Sequence, residues 1–185
     1  VGVGYQLPGG FAEYLTVPAR AACNFLRVPD GTANEYAALM EPLACCVHGQ
    51  SIAGASLGDT VAVFGAGAIG CMQGELARLS GATKIVMLDP VPNKLELARK
   101  VTPNAVAVDL SSEPAHTAID RETAGAGADV TIVACSSPQA VVDAVGVTKQ
   151  GGRVLLFAGL PRGNSRVELD ANTLHYKELQ VFGAF

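Results

Sequence analysis

Three glycines and two carboxylates are the residues whose types and spacing could do chemistry. Gly65, Gly67 and Gly70 stand at G-x-G-x-x-G spacing in VFGAGAIG, after the apolar run TVAVF and before the helical run AIGCMQGELARL. Asp89 closes the next apolar run, KIVMLD, 19 residues beyond the last glycine. A glycine turn alone is a weak signal, because such turns are common. Placed between a strand and a helix, with an acid at that distance, it is a dinucleotide-binding signature.

Each residue type has a physical reason. Gly65 permits the tight strand-to-helix turn, Gly67 lets backbone approach a pyrophosphate, and Gly70 lets the helix pack on the strand. Ala68 and Ile69 lie between them, where N–H groups of the helix's first turn face the phosphates. Asp89 can accept hydrogen bonds from both ribose hydroxyls and repels a 2′-phosphate, so NAD is expected in preference to NADP. Lys94 follows five residues later, either against the adenosine side or as a solvated helix lysine. A methyltransferase using S-adenosylmethionine also carries a glycine loop, but with an acid in the preceding strand, where this chain has VAVF.

The second carboxylate, Glu41, lies in AALMEPLACCVHG, directly before a proline in an otherwise apolar run. It can begin a helix, where an acid suits the dipole and proline suits the first turn. It can equally serve a metal at the mouth of an active site. Cys45 and His48, at i, i+3 on the same stretch, read as core residues. The five cysteines, Cys23, Cys45, Cys46, Cys71 and Cys135, form no CxxC pair and sit in apolar surroundings, so reduced, buried thiols are expected.

The elements that must hold these groups alternate from residue 58 onward. Strand-like runs are TVAVFG, KIVMLD, AVAVDL, ADVTIVAC, GRVLLFAG and LQVFGAF; helical runs are AIGCMQGELARLSG, VPNKLELARKV and PQAVVDAVGVTKQ. The strands are nearly continuous Val, Ile, Leu and Ala, as when helices cover both faces of a sheet. The expectation is an α/β domain over residues 34–185, a doubly wound parallel sheet of six strands in the Rossmann manner. Residues 1–33, with strand-like pieces broken by prolines, read as the edge of another domain.

With 185 residues and 49% hydrophobic content the chain can bury a sizeable core. Its formal charge of -4 and lack of a Lys/Arg cluster argue against nucleic acid or an anionic membrane as partner. The start shows no basic segment followed by an apolar one, and no window reaches the roughly 20 apolar residues of a membrane span, so a cytoplasmic location is expected.

Several stretches together, GGFAEYLTVP, ALMEPLACCVHG, GDTVAVFGAGAIG, GGRVLLFAGLP and NTLHYKELQVFGAF, resemble the zinc-dependent medium-chain dehydrogenases, in particular the polyol (sorbitol or iditol) and threonine dehydrogenase branch. That resemblance implies a GroES-like catalytic domain, of which residues 1–33 would be a short piece, beside a Rossmann domain. It implies hydride transfer between a secondary alcohol and NAD, with zinc polarising the alcohol oxygen. Glu41 falls where polyol-type members place a glutamate near the catalytic zinc, which points to a polyol or sugar alcohol as substrate. Cys135, in VACSS, falls where the family contacts its cofactor. His175, in LHYKEL, falls in a motif that leads into the last strand, and His116 is expected in a solvated loop.

The resemblance places the remaining zinc ligands, a cysteine and a His-Glu pair, outside this sequence. The expectation is therefore a cofactor-binding fragment that holds NAD, turns over no substrate and pairs through its last strand into a homo-dimer or tetramer. The alternative is a stand-alone nucleotide-binding or redox-sensing module.

Overall fold

The computed structural model describes residues 3, 4 and 6–185. The chain divides into two compact units, Val1–Ala38 and Leu39–Phe185. The sequence-based reading of residues 1, 2 and 5 within the first segment lies outside the described residues.

The first unit contains a 3-10 turn, Ala19–Asn24, and a short helix α1, Asn34–Ala38. Among its described residues the strand-like pieces form no ladder beyond an isolated Val3–Leu7 bridge. Phe11 and Tyr14 stand exposed. Pro8, Pro18 and Pro29 remove backbone donors, and a strand without a neighbour has nothing to pair with.

In the second unit, helix α2 (Met40–Ala53) precedes a regular alternation: β1 (Thr60–Phe64), α3 (Ala68–Leu79), β2 (Lys84–Asp89), α4 (Pro92–Val101), β3 (Val106–Asp109), α5 (Ala115–Thr123), β4 (Ala128–Val133), α6 (Pro138–Val147), β5 (Thr148–Leu156), α7 (Ala171–Tyr176) and β6 (Gln180–Gly183). All six strands run parallel in the order β3-β2-β1-β4-β5-β6. This is the doubly wound order, and the switch in winding direction falls between β1 and β4.

The continuous apolar character of the strands follows from burial on both faces. Along β1, Ala62 and Phe64 join one core with Ile119 of α5 and Val141 of α6. Val61 and Val63 join the other, with Cys71 of α3 and Leu95 of α4. Successive side chains of a strand point to opposite faces, so neither face tolerates a polar alternation.

Three elements differ from the sequence-based expectation. Residues 115–123, given no element there, form α5, whose buried Ala115, Ala118 and Ile119 fall at helical spacing. His116 therefore sits exposed in a first helical turn and not in a loop. Residues 148–150, expected to extend a helix, begin β5. The buried Thr148 hydroxyl donates to the Ala144 carbonyl at 2.6 Å and lies 2.8 Å from the Thr131 hydroxyl, tying the chain to β4 just where α6 stops. Residues 171–176, read only as a lead into the last strand, form α7, capped by the Asp170 side chain accepting from the Asn172 N–H.

Candidate functional site

The glycine loop is shaped by the ends of β1, β2 and β4. Gly65 donates its N–H to the Leu88 carbonyl at 2.7 Å, and Ala134 donates to the Phe64 carbonyl at 2.8 Å. Gly65 has φ 104°, in the left-handed region, and a Cβ there would meet the Ala134 carbonyl oxygen at 3.0 Å. Gly70 is more constrained: a Cβ would lie 1.8 Å from the Gly65 carbonyl oxygen. At Gly67 the same atom would meet nothing within 4 Å. Tightness on two sides and open space on the third leave bare backbone facing outward.

That backbone begins α3. Gly67 is its N-cap and provides no side-chain hydrogen bond, so the first-turn N–H groups of Ala68, Ile69 and Gly70 have no capping side chain. Such an end favours an anion.

Asp89 fixes the loop from the neighbouring strand. Its Oδ2 accepts from the Ala66 N–H and its Oδ1 from the Val91 N–H, both at 2.9 Å. Only 4% of its side chain is exposed, and Lys94 Nζ stands 3.7 Å from Oδ2. Two backbone donors and a nearby cation hold the carboxylate in place while each oxygen keeps lone-pair capacity for a further donor.

A cleft of about 540 Å³ opens beside this loop, at the C-terminal ends of the strands. Gly65, Asp89, Lys94 and Cys135 all line it. Leu110, Ala115 and Ala140 add apolar walls, and His116, Gln139 and Asp143 add polar groups from α5 and α6. Gly67, Ala68, Ile69 and Gly70, at the start of α3, are not among the residues that line it. Sequence reasoning missed the α5 and α6 side. The signal was the Ala115, Ala118, Ile119 spacing and the Ser137-Pro138 helix start, whose Ser137 side chain accepts from the Ala140 N–H.

The cleft thiol is held toward its protonated form. Burial pushes the Cys135 thiol up, and the Asp89 charge adds to this against a backbone N–H from Ser137. Burial likewise raises Cys71, with Asp89 adding to it, and takes Cys46 to about 11. All five cysteines are free, but only Cys46 and Cys71 are buried; Cys23 is exposed and Cys45 and Cys135 are half-buried, a correction to the expectation that every thiol is buried.

Glu41 lies elsewhere, exposed in the first turn of α2 with its Oε1 3.8 Å from Cys45 Sγ. Pro42 follows in that same first turn, where its missing N–H costs nothing. Cys45 is half-buried and His48 exposed, so neither is the core residue expected. Among the described residues no three His, Cys, Asp or Glu side chains gather into a set able to hold a metal ion. The donors present do not fit a zinc site by themselves.

A parallel sheet wound from a central switch point, with a glycine loop, an uncapped helix start and an acid at the next strand end, defines a nucleotide-binding α/β module. The zinc-binding dehydrogenase family model matches residues 68–185, and the chain belongs to that family. It is 35% identical over 185 residues to L-threonine 3-dehydrogenase of Deinococcus radiodurans, covering 100% of this chain and 51% of that protein. Among solved structures, a Sinorhizobium meliloti 1021 protein assigned as a zinc-binding dehydrogenase and bound to NADP is 34% identical, with a TM-score of 0.87 over 99% of this chain and 53% of that one. The 2R,3R-butanediol dehydrogenase of Bacillus subtilis is 27% identical, with a TM-score of 0.77 over 86% of this chain and 45% of that one. The chain thus spans about half the length of the relatives it matches.

Proposed function

We propose that this chain is the cofactor-binding part of an oxidoreductase that moves a hydride between a secondary alcohol and NAD. The observation that carries the proposal is the Asp89 carboxylate, fixed by the Ala66 and Val91 N–H groups at the edge of the cleft. When bound, the nicotinamide supplies the hydride chemistry. The chain's own residues bind and orient: the start of α3 receives the pyrophosphate, Asp89 accepts from the ribose hydroxyls, Lys94 supports that edge, and Cys135 packs against the nucleoside.

Asp89 supports NAD over NADP, because a 2′-phosphate beside a buried carboxylate meets like charge. The Sinorhizobium meliloti structure holds NADP, so the two features point in different directions, and we favour the charge argument for this chain. Calorimetry with NADH and NADPH tests it. NADH binds more tightly under the proposal; tighter NADPH binding overturns the role given to Asp89.

For the substrate, Glu41 and its resemblance to polyol-type members support a polyol or sugar alcohol. A second reading, L-threonine, is favoured by the name of the Deinococcus radiodurans relative. Residues 1–33 are assigned to a separate catalytic domain, and Glu41 is the residue placed on the metal side of such an enzyme. One carboxylate holds no zinc tightly, so this chain alone is expected to bind NAD without turnover. The non-catalytic alternative, a nucleotide-sensing module, is supported by the same lack of a gathered donor set among the described residues.

β6 is one of the two edge strands of the sheet, with Val181 exposed, and we assign it to pairing between two copies. A monomer by light scattering at micromolar concentration counts against that. No helix among the described residues is long and apolar enough to cross a membrane, which is compatible with the cytoplasmic location proposed.

A further inference from the structure

One residue of the glycine loop has both of its backbone polar groups met by side chains. Ala66 is fully buried between Gly65 and Gly67. Its N–H donates to Asp89 Oδ2 at 2.9 Å, and its carbonyl accepts from the Cys71 thiol, with Sγ 3.7 Å from the oxygen. The larger radius of sulfur lengthens such a bond, and no other described residue donates to that carbonyl. A buried carbonyl left without a partner costs free energy comparable to a lost hydrogen bond, so the thiol meets a need of the fold. Cys71 stands in the first turn of α3, itself only 4% exposed. Burial and then the Asp89 charge favour its protonated form, the form that donates.

The consequence lies in the peptide that follows. The Ala66 carbonyl and the Gly67 N–H belong to one planar trans unit and point in opposite directions. A carbonyl turned inward to Cys71 therefore turns the Gly67 N–H outward, and no described residue accepts from it. Gly67 is half-buried, and a Cβ built on it would meet nothing within 4 Å. Because glycine adopts either sign of φ at little cost, this peptide has no intrinsic preference for the outward setting and needs an anchor. Resting on the reading of this loop as a pyrophosphate site, we infer that Cys71 is a positioning residue whose thiol anchors the Ala66 carbonyl and so aims the Gly67 N–H at the phosphate. Asp89 fixes the peptide before Ala66 and Cys71 the one after it. An apolar side chain of similar size would fill the same core, but it would leave the second peptide free to turn.

Calorimetric titration with NADH of the full 185-residue chain, of Cys71→Ala and of Cys71→Ser tests this. Both variants lose the bulk of the sulfur, but only serine keeps a donor. Cys71→Ala is expected to bind NADH about fivefold more weakly, the scale of one neutral hydrogen bond, and Cys71→Ser to stay within about twofold of the unsubstituted chain. Equal weakening in the two variants is the result of lost packing alone and overturns the inference, as does unchanged affinity in Cys71→Ala. Amide hydrogen exchange read by NMR on the unsubstituted chain needs neither variant to fold. The Gly67 amide is expected to exchange fast in the free chain and slowly with NADH bound, and the Ala66 amide slowly in both. A Gly67 amide already protected in the free chain, or still fast with NADH bound, overturns the inference. Any of these results with NADH bound leaves the nucleotide reading in place, whereas failure of the unsubstituted chain to bind NADH overturns that reading and the inference with it.

Discussion

Two acids, each at the edge of a regular element, have opposite settings. Asp89 ends a central strand, is almost wholly enclosed, and receives two backbone N–H groups from different segments. Glu41 opens a helix, is exposed, and among the described residues has a thiol at 3.8 Å as its hydrogen-bond partner. The first belongs to a site that the fold builds for itself, because parallel strands end together and the turn after β1 must pass over them. The second is one donor on a helix surface, and among the described residues no set of metal-binding side chains gathers around it.

The strongest way to break the contrast is to disturb the ground on which Asp89 acts. Gly70→Ala drives a Cβ into the Gly65 carbonyl, and a backbone oxygen cannot move aside cheaply. A loss of about 3 kcal/mol in chemical denaturation is expected, together with loss of NADH binding. Retention of both would show that the loop is not held as described.

Removing the acid itself comes next. Asp89→Ala leaves the Ala66 and Val91 N–H groups unpaired and is expected to cost about 2 kcal/mol by denaturant titration. NADH affinity should fall about tenfold or more, with the preference over NADPH narrowed. An unchanged NADH:NADPH ratio would reduce Asp89 to a brace for the loop.

Asp129, at the other end of β4, is a useful control: a partly buried acid distant from the cleft. Burial pushes its carboxyl up, but the Lys149 ammonium and the Thr60 N–H prevail and hold it below the ordinary value. A carboxyl lowered on folding contributes stability that is present above its unfolded pKa and lost as pH falls through the folded one. Stability should therefore decline below about pH 4, and Asp129→Asn should flatten that decline and cost about 1 kcal/mol at neutral pH, with NADH affinity unchanged. Melts at stepped pH give the answer.

Glu41→Gln should do least. Weakening one helix-dipole contact costs about 0.3 kcal/mol, within the scatter of thermal melts, and NADH binding should not move. Zinc titration of the unsubstituted chain should show no stoichiometric, high-affinity site; finding one would place Glu41 within a donor set and erase its contrast with Asp89.

The same contrast explains what the sequence could reveal. The glycine loop and Asp89 are legible because each residue answers a local demand, a positive φ at Gly65 or a close approach at Gly70, and the spacing repeats the element lengths between them. The continuous apolar runs likewise reveal a sheet buried on both faces. The opposite wall of the cleft is less legible. His116 of α5 and the Gln139–Asp143 pair of α6 are ordinary helix residues that line one cleft through the packing of distant segments, and nothing near them in sequence marks that. Thr148 reads as helix by continuity, yet its hydroxyl bonds to Ala144 and Thr131 decide for the strand. The pieces before residue 34 look strand-like by composition, and among the described residues that composition forms no ladder beyond the Val3–Leu7 bridge.

The register between β1 and β4 also governs the order in which the molecule can be made. Val61 finds Ile85 of β2 early, across a single intervening helix, but it finds Val130 of β4 only after α4, β3 and α5 have been synthesised as well. Closing so long a loop is slow relative to local helix formation. A growing chain can therefore assemble the glycine turn and its acid from residues 60–91 well before the far wall exists. Nucleotide capture should lag behind the appearance of α/β structure during refolding, with the docking of β4 setting the delay.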